Sequence, residues 1–298
     1  MTLASPSRIA IVIASTGRPT ELRRWVDHAR RQTLRPSTLL CVVAERTDLP
    51  WREKLPKDVK VIVSARGSCH QRNVGLTAAI GSSDIVAFFD DDYIPSSYCV
   101  EGIDAFFRKN LDVVGANGVL LADGINSPGI SYDDAKEMVV RHDTLPRTEG
   151  KVLYDLNGLY GCNMVFRGSA IGSELFDEEL PLYAWQEDID FAARVGKRGR
   201  IVKTDAFYGV HQGVKSGRPP GTRLGYSQVA NPIYLARKGT LSAGDAAKLI
   251  FKNVIKNHVK SICPEPWIDR VGRCKGNWLG ILDVLLSRDH PKNILSLP

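Results

Sequence analysis

No two of the six cysteines form a CxxC pair: Cys41, Cys69, Cys99, Cys162, Cys263 and Cys274 lie scattered along 298 residues. That spacing excludes a zinc ribbon and a disulfide frame, and it reads as reduced thiols in a cytoplasmic protein. No uninterrupted apolar run reaches about 18 residues, so no membrane-spanning helix is expected. The opening "MTLASPSRIA" lacks the basic-then-apolar layout of a secretory leader. Internal repeats and low-complexity segments are missing too. What is present is ordinary for a globular chain: 43% apolar and 24% charged residues, enough for one large core or a core plus an appendage.

The net charge of +7 is unevenly spread. Residues 237–298 hold eleven Lys/Arg against five Asp/Glu, a balance of +6, which leaves +1 for everything before them. A uniformly basic nucleic-acid binder is not patterned this way, and few aromatics stand among the tail's lysines to stack on bases. The expected organisation is a catalytic domain over 1–236 and a basic helical extension over 237–298. In that extension Ile250, Phe251, Val254, Ile255, Val259 and Ile262 share a helix face, with Lys248, Lys252, Lys256 and Lys260 beside it. The pattern fits a helix docked on the core, and equally one lying on an anionic membrane, such as the inner face of the plasma membrane.

Apolar runs at 8–15, 38–45, 59–65, 84–90 and 111–120 predict strands. Helical stretches at 20–32, 69–80 and from Pro95 to about 107 alternate with them. This βαβ rhythm predicts an α/β fold with a mostly parallel central sheet flanked by helices. Residues 121–157 read as a long loop or an insertion, 162–167 and 200–204 as short strands, and 187–199 as a helix. In parallel sheets ligands bind outside the carboxyl ends of the strands. Those ends carry Ser15, Thr16, Glu45, Arg66 and the run Asp90, Asp91, Asp92.

Three adjacent carboxylates repel one another and need compensation. Alternate residues at a strand end project the same way, so Asp90 and Asp92 can share Mg²⁺ or Mn²⁺ with a phosphate. The same acids also suit a helix N-terminus. In "QRNVG" Arg72 can fork onto a diphosphate, or serve as a surface Arg on a capped helix. In "WQEDIDFAARV" Glu187, Asp188 and Asp190 load the first turn of a helix. One of these acids could act as a general base with Trp185 as a sugar-facing wall, or all could simply complement the dipole, Asp190 pairing with Arg194 on the surface. His211 stands before a Gly/Pro-rich basic loop whose Lys215, Arg218 or Arg223 could reach phosphates. A lone His is more often structural than a ligand.

Taken in order, "VIASTGRP", Glu45, "QRNVG", "FFDDDYIP", "GCNMVFR" and "WQEDIDFAARV" resemble glycosyltransferase family 2, of the GT-A fold, over roughly residues 8–212. The resemblance implies an inverting, metal-dependent hexosyl transfer from a nucleotide-diphosphate sugar to an acceptor hydroxyl. By that likeness Ser15, Thr16, Arg18 and Glu45 cradle the nucleoside, with Arg72, Asp90 and Asp91 beside the diphosphate. Asp92, Asp90 and His211 are the expected ligands for Mn²⁺ or Mg²⁺. Asp188 is the expected base, and Trp185 and Glu187 meet a saccharide or lipid-linked saccharide acceptor in polysaccharide or glycolipid assembly. In one place the chain departs from the family: it has "AERTDLP" where many members carry Asp-Asp-Gly-Ser. Two other readings compete. A nucleotidyltransferase would want a Gly-rich, Lys-bearing phosphate loop that "STGRPTE" does not supply. A non-catalytic binding module would not need both the aspartate run and the Glu187-Asp188 pair.

Overall fold

The computed structural model describes residues 5–51, 57–147, 149–216 and 220–298. They form two compact units. Among these described residues, the first unit takes those up to 66, those within 70–175 and 195–216; the second takes 67–69, 176–194 and 220–298.

In chain order the elements are β1 (Ile9–Ser15), α1 (Pro19–Arg30), β2 (Thr38–Val43), β3 (Lys60–Val63), α2 (Ser68–Ala79), β4 (Ile85–Asp90) and β5 (Tyr93–Pro95). There follow α3 (Cys99–Lys109), β6 (Val113–Asp123), α4 (Tyr132–Asp143), β7 (Val152–Asp155), β8 (Asn163–Arg167) and α5 (Gly168–Ile171). The chain then runs through α6 (Glu187–Val195), β9 (Arg200–His211), α7 (Gly221–Lys238), α8 (Ala243–Ser261) and α9 (Arg270–Leu285).

The first unit is built on one sheet of order β3-β2-β1-β4-β8-β6-β9-β5, with β7 also paired to β9. The β3-β2-β1-β4 half is parallel throughout. From β8 onward the sheet is mixed, since β8 runs antiparallel to both β4 and β6 while β9 runs parallel to β6. The parallel half follows from continuous apolar runs such as "IAIVIAS", which bury on both faces. Leu22, Trp25, Val26 and Ala29 of α1 pack into the core from one side. Trp25 tilts against Phe89 at 5.2 Å, and Phe89 stacks on Tyr93 at 5.1 Å. Burying such rings is worth about 2–3 kcal/mol each, and here it also fixes the strand end: Trp25 Nε1 donates to the Asp90 carbonyl at 3.1 Å.

Several expectations need correction. Pro95 does not open a helix; it closes β5, a three-residue strand at the end of the sheet order, where a missing N–H is tolerated. The stretch 121–157 is not one long loop. It holds α4, capped by Ser131 accepting from the Asp134 N–H, and β7. The strand expected at 200–204 runs on as β9 to His211.

In the second unit α7, α8 and α9 pack together, and the expected boundary at residue 236 falls near the end of α7. Asp190 on α6 forms its expected pair with Arg194, but it is no surface ion pair. The carboxylate is fully buried and also meets Lys238 Nζ (2.9 Å) and Thr240 Oγ1 (2.8 Å). Removing one member of a buried ionic group leaves the others uncompensated. Asp190→Asn is expected to lower unfolding stability by about 3 kcal/mol, measured by urea titration; a loss indistinguishable from zero would contradict this anchoring.

Candidate active site

Strand pairing in the first unit gathers the acids. Asp90 ends β4 beside Ala14 of β1. After Asp91 and Asp92 the chain enters β5, which pairs antiparallel with the end of β9 and sets Tyr93 opposite His211. On the other flank of β9, β6 runs parallel and sets Asp123 opposite His211. The result is one group, Asp90, Asp92 and His211, whose ligand atoms lie within 4.8 Å of one another. His211 Nε2 is 3.4 Å from Asp92 Oδ1 and 4.0 Å from Asp90 Oδ2. Nδ1 points the other way, 2.8 Å from Asp123 Oδ1 and 3.2 Å from Tyr160 Oη.

The electrostatics follow from burial and neighbours. Burial disfavours a charged His211, but Asp123 and Asp92 outweigh it and raise the imidazole to about 10. Burial likewise works to raise Asp92 and Asp123, yet His211 holds both below the usual carboxylate range. Asp91 differs: burial pushes it upward against the pull of Arg18. Its carboxylate turns to the end of β1, where Ser15 Oγ donates at 2.6 Å and Arg18 Nη1 at 2.8 Å. Arg18 Nη1 also lies 3.6 Å from Asp92 Oδ2, so Asp91 and Asp92 share that guanidinium.

Arg18 also donates to the carbonyls of Val214 (3.2 Å) and Ser216 (2.6 Å), tying the loop after β9 to the turn after β1. That loop sends the Val214 N–H to Asp92 Oδ2 at 2.7 Å. Gly213 makes this possible: its φ of +66° is the left-handed region, and a Cβ there would lie 2.3 Å from the Gly124 carbonyl carbon. Lys215 Nζ binds the carbonyls of Gly124 and Ile125. Arg223 lies in the second unit and donates to the Leu297 carbonyl. Arg218 lies outside the described residues.

Arg72 is buried at the start of α2 and reaches Asp90 Oδ1 at 3.0 Å. Thr16 Oγ1 donates to Gln71 Oε1, and Gln71 Nε2 clasps the Ser15 and Val42 carbonyls. Glu45 is exposed beyond β2. Asp48, which the sequence pattern does not single out, is the buried acid there, accepting the backbone N–H groups of Gly17, Ala44 and Glu45. Asp123 also escapes the sequence reading, which ends this strand at 120, whereas β6 runs on through Leu121 and Ala122 to Asp123. A strand carried three residues further puts a carboxylate at a carboxyl edge. The "GCN" segment is structural: Asn163 and Asn117 hold the turn that presents Tyr160 to His211. A cavity of about 300 Å³ between α3 and the end of α4, lined by Tyr98, His142, Leu145 and Tyr208 among others, includes none of these acids.

In the second unit, Leu182, Ala184 and Gln186 all take positive φ, at 59°, 53° and 79°. Non-glycine residues held there cost about 1 kcal/mol or more each and cluster at functional segments. Asn231 donates to the Trp185 carbonyl at 2.8 Å, bracing this stretch. Of the acids that follow, Glu187 and Asp190 are buried and Asp188 is partly exposed.

Two carboxylates and an imidazole whose far nitrogen is held by a third carboxylate form a donor set suited to a divalent cation. No protein-family model matches the sequence, and no curated protein matches it. Solved structures do. The chain aligns with a mannosyltransferase, PcManGT from Pyrobaculum calidifontis in complex with GDP-Man and Mn²⁺, at TM-score 0.56 and 14% identity, covering 96% of this chain and 89% of that one. For S. aureus TarS 1-349 the values are 0.55 and 12%, covering 97% and 83%. For GalNAc-T7 with UDP, GalNAc and Mn²⁺ they are 0.51 and 12%, covering 99% of this chain but 57% of that one. A longer TarS chain is spanned over only 44% of its length. At such identities the likeness establishes the fold: the chain has the GT-A glycosyltransferase fold.

Proposed function

We propose that this chain is a glycosyltransferase that moves a sugar from a nucleoside-diphosphate donor to an acceptor hydroxyl, with inversion at the anomeric carbon. The observation that carries this reading is the convergence of Asp90, Asp92 and His211 where a sheet of this class takes its ligands. Two proteins of similar fold were crystallised with Mn²⁺, one with UDP and one with GDP-Man, which supports the same chemistry here. The residues fit a cation: His211 Nδ1 is engaged by Asp123, leaving Nε2 toward the acids. An imidazole among the ligands favours Mn²⁺ over Mg²⁺, which prefers oxygen alone. A divalent ion held there would supply charge neutralisation for the departing diphosphate.

The remaining roles belong to side chains. Arg72, beside Asp90, offers its guanidinium to the diphosphate. The Thr16–Arg18 turn and Glu45 bound the nucleoside. Asp188 accepts the acceptor's hydroxyl proton as its oxygen bonds to the anomeric carbon and the bond to the diphosphate breaks. Trp185 offers a ring to a saccharide, free or lipid-linked, and Glu187 is the second residue proposed to meet it.

A thermal-shift panel of nucleoside diphosphates tests this reading. UDP or GDP with Mn²⁺ is expected to raise Tm by several degrees, and far less with the cation chelated, because a ligand binding only the native state stabilises it. Absence of any Mn²⁺-dependent shift across the panel would contradict the proposal.

A further inference from the structure

Helices α8 and α9 are patterned inside out. The face that α8 turns inward is polar: Asn257 bonds Gln228 (2.8 Å), Asn277 (2.9 Å) and Arg270 (2.9 Å), and all four are buried. The inward face of α9 is small. A Cβ on Gly276 would lie 2.0 Å from the Thr222 carbonyl oxygen, and one on Gly225 of α7 would lie 2.2 Å from that of Arg273. Backbones this close, joined by amide side chains, are how helices associate when the hydrophobic effect does not drive them together.

The apolar residues are on the outside. On α8 Phe251 is 70% exposed, Val259 63% and, just past its end, Ile262 87%; on α9 Trp278 is 60% and Leu285 76% exposed. The spacing 251, 255, 259, 262 is one stripe of α8, and 271, 278, 282, 285 is one stripe of α9. Trp278 Nε1 donates to His258 Nε2 at 2.9 Å, linking the two helices at this outer face. A soluble surface rarely keeps so many large apolar side chains in contiguous stripes.

We propose that this face of α8 and α9 is a docking surface for an anionic lipid bilayer, lying in the headgroup region without spanning it. None of the helices among the described residues is long and apolar enough to cross a membrane. Charge selects the occupant. Lys252, Lys256 and Lys275 carry no ion pair among the described residues. Burial, and after it the nearby Arg270, Lys260 and Lys252, lower the pKa of Lys256. A second copy would meet this patch with the same patch, lysines against lysines. Anionic headgroups meet it with opposite charge, while the acyl boundary receives Phe251, Ile262, Trp278 and Leu285.

Flotation of the full chain with vesicles of phosphatidylglycerol and phosphatidylcholine tests the proposal. The chain is expected to float with these vesicles, to float far less with phosphatidylcholine alone, and to be released as salt rises from about 0.1 M to about 0.5 M. Phe251→Ser with Ile262→Ser, both at exposed positions, is expected to weaken binding at least tenfold while circular dichroism and Tm stay unchanged. Lys252→Gln, Lys256→Gln and Lys275→Gln together are expected to weaken it roughly a hundredfold, about fivefold per lysine near the surface. A full chain that stays at the bottom of the gradient with phosphatidylglycerol vesicles at low salt overturns the proposal. So does a dimer in sedimentation that the Phe251→Ser, Ile262→Ser chain loses, with no flotation in either form. None of these readouts uses transferase activity, so failure here and failure of the glycosyltransferase reading are separable.

Discussion

Replacing Asp92 by asparagine is expected to lower Mn²⁺ affinity about a hundredfold or more and transfer by about three orders of magnitude. Asparagine keeps the shape of the side chain and can still accept the Val214 N–H that Asp92 Oδ2 takes at 2.7 Å. What it loses is the negative charge facing His211 Nε2 at 3.4 Å. With one of two carboxylates gone, the remaining donors are Asp90, which Arg72 already engages, and a single imidazole. Too little negative charge is left to offset the dehydration of a divalent ion. Calorimetric titration with Mn²⁺ measures the affinity directly, and wild-type affinity in Asp92→Asn would remove Asp92 from the cation site.

Asp188→Asn separates chemistry from binding. Transfer is expected to fall by about a thousandfold, within the range that a positioned general base contributes, and Mn²⁺ and nucleotide affinity to change by less than about threefold, since no group of the cation cluster is altered. On the proposed reading Asp188, and not its acidic neighbours, is the base. Asp190 is spent on Arg194, Lys238 and Thr240, and Glu187 is buried. The positive-φ residues Leu182, Ala184 and Gln186 and the brace from Asn231 to the Trp185 carbonyl lie just before Asp188, whose Oδ1 accepts the Ile189 N–H at 2.9 Å. Single-turnover rates alongside calorimetry on the same variant check both halves. Comparable turnover, or a matching loss of nucleotide affinity, would count against Asp188 as the base.

How much of this is legible in the sequence depends on whether burial is written locally. The strands β1, β2 and β4 bury both faces, so each reads as an unbroken apolar run. The α1 face of Leu22, Trp25, Val26 and Ala29 follows the helical period and packs as the period predicts. The strand β5 is hidden because three residues ending in proline gain their pairing from β9, more than a hundred positions away. The length of β9 is hidden because its register with β6 shifts at irregularities, which break the alternation of apolar and polar residues. Helix α7 escapes the pattern because its contacts with α9 are made by glycine and asparagine, residues that usually mark loops. The candidate site is more legible than its supports. Asp90, Asp92 and His211 stand out as chemical types, and the structure brings them together. Asp123 and Asp48 act by orienting something else, a histidine ring and a backbone turn, and nothing in the local sequence announces the partner.

The most direct test is diffraction near the manganese absorption edge from crystals of the full chain grown with Mn²⁺ and UDP or GDP. The account predicts an anomalous peak within bonding distance of Asp92, Asp90 and His211 Nε2, with diphosphate oxygens completing the shell. A peak bound elsewhere, or none at this cluster while nucleotide density is clear, would contradict it.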